Sequence, residues 1–269
     1  MQTKLGVYAT NKINEDFGTN LSIGKVNLSF LGSIALKEVQ IKDHHKDTLI
    51  FVKKISTSLL SVKKVFNNKL LFDAITIEDA FYFMKTYKGE TTNNMSVFTA
   101  SFRSDTPKDS LDLPFILKAN NVYIQNLDLR ISNDNKEKPL NFSATNIGGN
   151  VQDLDIVGAV VALNTRGLYF RTNQDLQVTS FTTNYKFTKS AMTFESTILD
   201  TKNSRLRANI FFTYDRGDLS NFNDKVQIEA EFKESNLKVL DLKKFYSELN
   251  GGDMISFSGK MKGKLNNFN

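Results

Sequence analysis

Cysteine and tryptophan are both absent from the 269 residues. Without cysteine there is no disulfide framework, no thiolate zinc site and no cysteine nucleophile. Histidine occurs only twice, as the adjacent pair His44-His45, and proline three times. No apolar run reaches the ~18 residues of a membrane helix, and the first twenty residues are too polar for a secretory signal. The signatures of nucleotide binding, acyl transfer and zinc proteolysis are missing as well: there is no GxGxxG, Walker-type phosphate loop, GxSxG or HExxH. The string SGKMKGK (258–264) lacks the spacing and strand-to-helix context of a phosphate loop. It reads as a strand whose lysines discourage sheet-to-sheet association. These absences point away from an enzyme and from any resident cofactor.

What is plentiful is apolar aromatic surface, with 22 Phe and 8 Tyr. At 40% hydrophobic and 24% charged the chain is neither disordered nor a membrane-embedded bundle, and its length allows one to two domains. Charge is unevenly placed. Residues 1–70 hold 11 Lys/Arg and 5 Asp/Glu, whereas 71–269 hold 24 of each. An N-terminal excess of +6 suits phosphate of nucleic acid or of lipid head groups, or is simply a solvated surface. Nucleic acid is the poorer fit, because stacking platforms need aromatics on the charged face, and here they share the apolar parity.

Segment 2–18 has helical spacing, with Leu5, Tyr8 or Ala9, Ile13 and Phe17, and Gly18 supplies a stop. After it the period becomes two. Val39 and Ile41 share a parity, as do Leu49, Phe51, Ile55 and Thr57, and Ile75, Ile77, Phe81 and Phe83. Later runs such as Leu206, Ala208, Ile210, Phe212 and Tyr214 are cleaner. Polar residues fill the other parity, as in strands with one wet face, which are usually antiparallel. Asn- and Gly-rich turns punctuate them, and Arg103–Pro114 is the longest polar loop. A late helix is expected at 236–249, where Val239, Leu242, Phe245 or Tyr246 and Leu249 form a stripe before Gly251-Gly252. A weak repeat links LKEVQIKD (36–43), FDAITIED (72–79) and LKANNVYIQN (117–126). In the third copy the parity slips from Val122/Ile124 to Leu127/Leu129, which predicts a bulge near Gln125-Asn126.

The string DHHKD (43–47) could be drawn as a metal site, but no third ligand cluster is evident in the sequence. Side chains adjacent in a strand or turn point apart, so the expectation is a solvated turn and no metal. The remaining feature is a long sheet with one apolar face rich in Phe, Ile and Leu. Either a second layer covers it, as in a sandwich, or it stays partly open as a groove for acyl chains or partner proteins.

Several stretches resemble a known family. The helix 2–17, LSIGKVNLSFLGSIALKEVQIKD (21–43), KDTLIFVKKI (46–55), FDAITIEDAFYFMKTYKGE (72–90) and SFSGKMKGKLNNF (256–268) look like the N-terminal region of TamB-like and AsmA-like envelope proteins of Gram-negative bacteria. The resemblance implies an inner-membrane anchor before the helix, and a long β-sheet curled into an apolar groove across the periplasm. It also implies a role in outer-membrane biogenesis: phospholipid movement, or outer-membrane protein assembly and secretion with a BamA-type barrel partner, met through regions outside this chain. The expected fold is therefore all-β, an elongated, curved, mostly antiparallel sheet (a taco-like groove) with an N-terminal helix and one late helix. It divides into the helix 1–18, a first segment 19–105 and a second segment 113–269. The candidate groove lining is Val39, Ile41, Phe51, Ile55, Ile75, Ile77, Phe81, Phe83, Val122, Ile124, Leu127 and Leu129. The candidate head-group contacts are Lys12, Lys25, Lys53, Lys54, Lys63 and Lys64. The alternatives are a scaffold whose sheet edge pairs with client strands and a structural sandwich with no ligand.

Overall fold

The computed structural model describes residues 7, 10–11, 14–15, 18–28, 33–59, 69–100, 116–264 and 266–268. Alternation of β-branched or aromatic residues with polar ones produces strands through most of this length. They are β1 (Asn20–Leu28), β2 (Ser33–Lys42), β3 (Thr48–Leu59), β4 (Lys69–Thr86), β5 (Ile116–Asn133), β6 (Leu140–Val157) and β7 (Val160–Thr172). After these come β8 (Gln177–Phe187), β9 (Ala191–Thr201), β10 (Arg205–Thr213), β11 (Gln227–Lys238), β12 (Met254–Lys264) and the short β13 (Asn267–Phe268). All thirteen join one sheet in sequence order, β1 to β13. The first and last strands are not paired to each other, so the sheet is open. Twelve spacings at about 4.8 Å carry it roughly 58 Å along the hydrogen-bonding direction.

Every neighbouring pair is antiparallel except β4 and β5, which run parallel over sixteen registered pairs from Lys69–Ile116 to Thr86–Asn133. Parallel neighbours require the chain to travel back along the whole first strand before entering the second. Residues 87–115 make that return, and within them Asn94–Ala100 is helical and lies against β4. The loop expected at Arg103–Pro114 lies outside the described residues. Across it the sheet continues without a break, so the two segments 19–105 and 113–269 share one ladder at β4–β5.

Most of the expected N-terminal helix lies outside the described residues, and the first strand begins at Asn20. The described Asn14 side chain bonds to both backbone groups of Leu21 at 2.8 Å, holding that region against β1. The late helix is far shorter than expected. Residues 236–238 belong to β11, because Asn236 and Leu237 pair with Ser256 and Ile255 of β12. Helix begins only at Val239 and ends at Leu242, after which Lys244 and Phe245 form i→i+3 bonds to Asp241 and Leu242. Ladder pairing wins over the helical stripe at 236–238, and the buried Asp241 carboxylate anchors the turn to Thr201 and Ser204 at 2.6 and 2.7 Å. One further short helix, Phe222–Lys225, follows a 3-10 turn at Arg216–Asn221.

Strand interiors contain an unusual number of left-handed residues. Glu38, Asp79, Asn126, Asn146, Asp153, Ser196 and Glu234 all have positive φ within strands. Asn and Asp tolerate this conformation best, because their short side chains bond locally. At Asn126, Asn146, Asp153, Ser196 and Glu234 the ladder to a neighbouring strand takes up an extra residue, and each left-handed residue reverses which face the following side chains occupy. Gly24, Glu38, Lys53, Asp79 and Asn126 stand opposite one another across β1–β5. Pairing from β1 to β5 stays one-to-one through these positions, while the parity of all five strands reverses along one crease.

Neighbouring side chains accept the backbone N–H groups that such kinks release. Asn146 N–H donates to Asp128 Oδ1 (3.1 Å) and Ser196 N–H to Asn209 Oδ1 (2.8 Å). Glu234 N–H donates to Ser258 Oγ (2.8 Å), and Gly167, also left-handed, to Thr182 Oγ1 (3.1 Å). The kinks are therefore satisfied features of the fold, since an unpaired backbone donor away from water would be costly.

Candidate functional site

With the crease included, one face of the sheet is apolar almost from end to end. Ile23, Val39, Val52 and Ala80 lie in one cross-strand row, and Val26, Leu36, Ile55 and Ile77 in the next. The row continues from Ile77 to Ile124, and its neighbour from Ile75 through Val122 to Val151. Two packed clusters form on this face. One is centred on Ile23, Val26, Val39 and Val52, the other on Ala119, Val122, Val151 and Leu168; Ile77 packs against both. Further along, Tyr185, Phe194 and Ile210 fall in line across β8–β10.

This face is only partly shielded. The sheet is the sole one among the described residues, and the described helices are too short to roof it. Val39 and Val122 are buried, but Ile50, Ile55, Ile77, Tyr82, Ile124, Leu127 and Leu129 are only half-buried. The environment is nonetheless poor in water. Burial pushes the Tyr185 hydroxyl up to about 12, and pushes Tyr82 up further, with Tyr185 adding a charge effect of its own. Tyr82 lies on β4 and Tyr185 on β8.

Nine of the twelve residues expected to line a groove share this face: Val39, Ile41, Ile55, Ile75, Ile77, Val122, Ile124, Leu127 and Leu129. Phe51, Phe81 and Phe83 do not. The reversal of parity at Lys53 and at the left-handed Asp79 places Ile50, Val52, Ala80 and Tyr82 on the apolar face and turns the three phenylalanines to the other side. There Phe51 stands opposite Phe81, Phe81 and Phe83 lie 6.1 Å apart, and the Arg130 guanidinium sits 5.4 Å above the Phe81 ring. The helix Asn94–Ala100 is at the same end of β4, with the Asn94 side chain bonded to the backbone of Phe83 and Lys85. Tyr82, Ala80 and Val52 are face residues that strict alternation missed. Only the parity slip in the third repeat copy signalled the device responsible.

Among the head-group lysines, Lys12, Lys63 and Lys64 lie outside the described residues. Lys53 and Lys54 are on the polar face, paired with Asp79 at 2.8 Å and Glu78 at 2.6 Å. Lys25 is exposed and stands opposite Lys37, which in turn faces Lys54. The structure therefore spends two of the expected phosphate contacts on cross-strand ion pairs.

No family model matches the chain, and no curated protein matches it.

Proposed function

We propose that this chain is a non-enzymatic segment of a periplasm-spanning envelope protein, anchored in the inner membrane, whose apolar sheet face carries phospholipid acyl chains between the two membranes. The observation that carries the reading is the long apolar face that, among the described residues, no second sheet covers and that leaves Ile77, Ile124, Leu127 and Leu129 half-buried. Creases that reverse parity along the strands suit a sheet curled inward into a groove. Such a groove needs no specific polar contact. Each buried CH₂ contributes roughly 0.8 kcal/mol, so ten contacted methylenes give roughly 8 kcal/mol before ordering costs. The likeness of residues 2–90 to TamB-like proteins points the same way.

The test is lipid extraction and mass spectrometry on the purified chain, with a soluble β-protein of similar size as control. Stoichiometric phospholipid in this sample alone is expected. No lipid, together with a compact scattering profile, would mean that the face is closed on itself.

One observation favours a second reading, a scaffold for outer-membrane protein assembly with a BamA-type partner. Among the described residues, β13 pairs only with Gly263 and Lys264 of β12, so most of that edge offers free backbone groups to a client strand. This reading places client crosslinks along β12 and none on the apolar face.

A further inference from the structure

Away from the apolar face, three turns meet at one end of the sheet and bring together residues 45 positions apart. His44 and His45 sit in the β2–β3 turn, and Glu90 follows β4. His44 Nε2 lies 3.0 and 3.1 Å from the two Glu90 carboxylate oxygens, and His45 Nε2 lies 2.6 Å from Oε1. Ligand atoms of all three residues fall within 4.8 Å of one another. Adjacent histidines normally diverge. Here the turn folds their rings to a centroid distance of 4.5 Å, edge to face.

The cluster stands on a rigid base. Asp43, 3% exposed, accepts bonds from the backbone N–H of His45 and Asp47 at 2.9 and 3.0 Å. It also accepts from Tyr87 Oη at 2.7 Å and Asn94 Nδ2 at 2.9 Å. The Tyr87 ring stacks on His45 at 3.8 Å, fixing that imidazole. On the other side Asn135 donates to the Glu90 carbonyl at 2.9 Å and accepts from Gly89 N–H at 2.7 Å. These partners position the ligating groups, as outer-shell contacts do in built metal sites.

We propose that His44, His45 and Glu90 form a site for a divalent first-row transition cation of the zinc type. Two imidazoles and a carboxylate suit such an ion, whereas magnesium and calcium prefer all-oxygen sets. Two ligand atoms each about 2.0–2.1 Å from a tetrahedral metal are separated by about 3.3 Å. The observed 2.6–3.1 Å contacts need to open by about 0.2–0.7 Å, which the partly exposed Glu90 and His44 side chains can supply while His45 stays stacked on Tyr87. The metal takes the place of the protons now shared between rings and carboxylate. Three protein ligands leave the fourth position to water or to an anionic group. Bound metal ties the β2–β3 turn to the loop after β4.

The test uses the full chain without a polyhistidine tag, stripped with EDTA, exchanged into metal-free buffer and titrated calorimetrically with zinc chloride. One zinc ion per chain is expected, with no heat from magnesium chloride. Glu90→Gln and His45→Ala each weaken zinc binding about tenfold or more, while the remote surface variant Asp175→Asn binds like wild type. Melting curves in EDTA confirm that each variant is folded, so lost binding reports lost ligands. Absence of zinc binding at 100-fold excess, or equal binding by wild type and Glu90→Gln, would overturn the site and leave a hydrogen-bonded clamp.

Discussion

Replacing Asp43 tests how much of this end of the sheet depends on one buried carboxylate. In Asp43→Ala, Tyr87 Oη keeps Asp47 at 2.8 Å and Asn94 Nδ2 keeps the Phe83 carbonyl at 3.0 Å. The two turn N–H groups of His45 and Asp47 lose the side-chain acceptor that both share. Each unsatisfied group costs about 1–3 kcal/mol when buried. Both lie near solvent, so a total of about 2–4 kcal/mol is expected. At roughly 2.1 cal/mol/K of unfolding entropy per residue, a 269-residue cooperative sheet then loses about 4–7 °C in Tm at pH 7. Asp43→Asn retains an acceptor for the turn but points an NH₂ at the Asn94 NH₂, and should fall between the two.

The pH dependence is a second signature of the same group. Burial pushes the Asp43 carboxyl up, but bonds from Tyr87, Asn94 and the backbone of His45 and Asp47 outweigh it and hold the group below its ordinary value of 3.8. A depressed folded value means that the stabilisation is complete above 3.8 and disappears as pH falls through the folded value. The Tm gap between wild type and Asp43→Ala should therefore be constant from pH 5 to 7 and narrow below pH 3.5. A gap under 1 °C at pH 7, or one that widens in acid, would refute the reasoning.

Other outcomes follow from particular positions. Gly149→Ala adds a Cβ only 3.0 Å from the Gly167 carbonyl and from Leu168 Cα, at a φ of +129°, and should cost about 1–3 kcal/mol in denaturant unfolding. Asn126→Gly keeps the φ of 66° without strain but loses the exposed 2.8 Å bond to Asp79, and should cost about 0.5–1.5 kcal/mol, whereas Asn126→Val loses the same bond and adds about 1–2 kcal/mol of left-handed strain. Ile124→Glu should abolish lipid co-purification, while Phe81→Glu, with the same charge on the opposite face, should leave it intact; equal loss would contradict the face assignment. Tyr185 should resist ionisation to about pH 12 in an absorbance titration at 295 nm, and a phenol titrating near 10 would show that the face is wet.

The apolar alternation, the strand-rich architecture and the bulge at Asn126 were legible in the sequence because each is written locally. The second and third repeat copies even lie side by side, since β4 and β5 pair at an offset equal to their spacing of 47 residues, with Ile75 beside Val122. The matching left-handed reversal at Asp79 was hidden, because Phe81 and Phe83 continue the earlier parity with equally apolar side chains. Their hydrophobicity belongs to the opposite face, at the end of β4 where Asn94–Ala100 packs. The parallel direction of β5 is set by a return connection of 29 residues, a long-range fact that no period of two or 3.6 contains. The late helix carried proper stripe and stop signals, yet strand pairing of Leu237 with Ile255 took its first residues. Glu90 lies 45 residues from His45 in sequence, and only the fold brings it to the two imidazoles.

The central claim is that one face, and not the other, holds acyl chains. It is tested most directly by photo-crosslinking the chain to a phospholipid with a diazirine in its acyl tail, followed by peptide mapping. The account predicts adducts on Ile77, Tyr82, Ile124, Leu127 and Leu129, and none on Tyr123, Asp128 or Arg130 of the same strand region. Adducts spread evenly over both faces of β5, or no adducts at all, would contradict it.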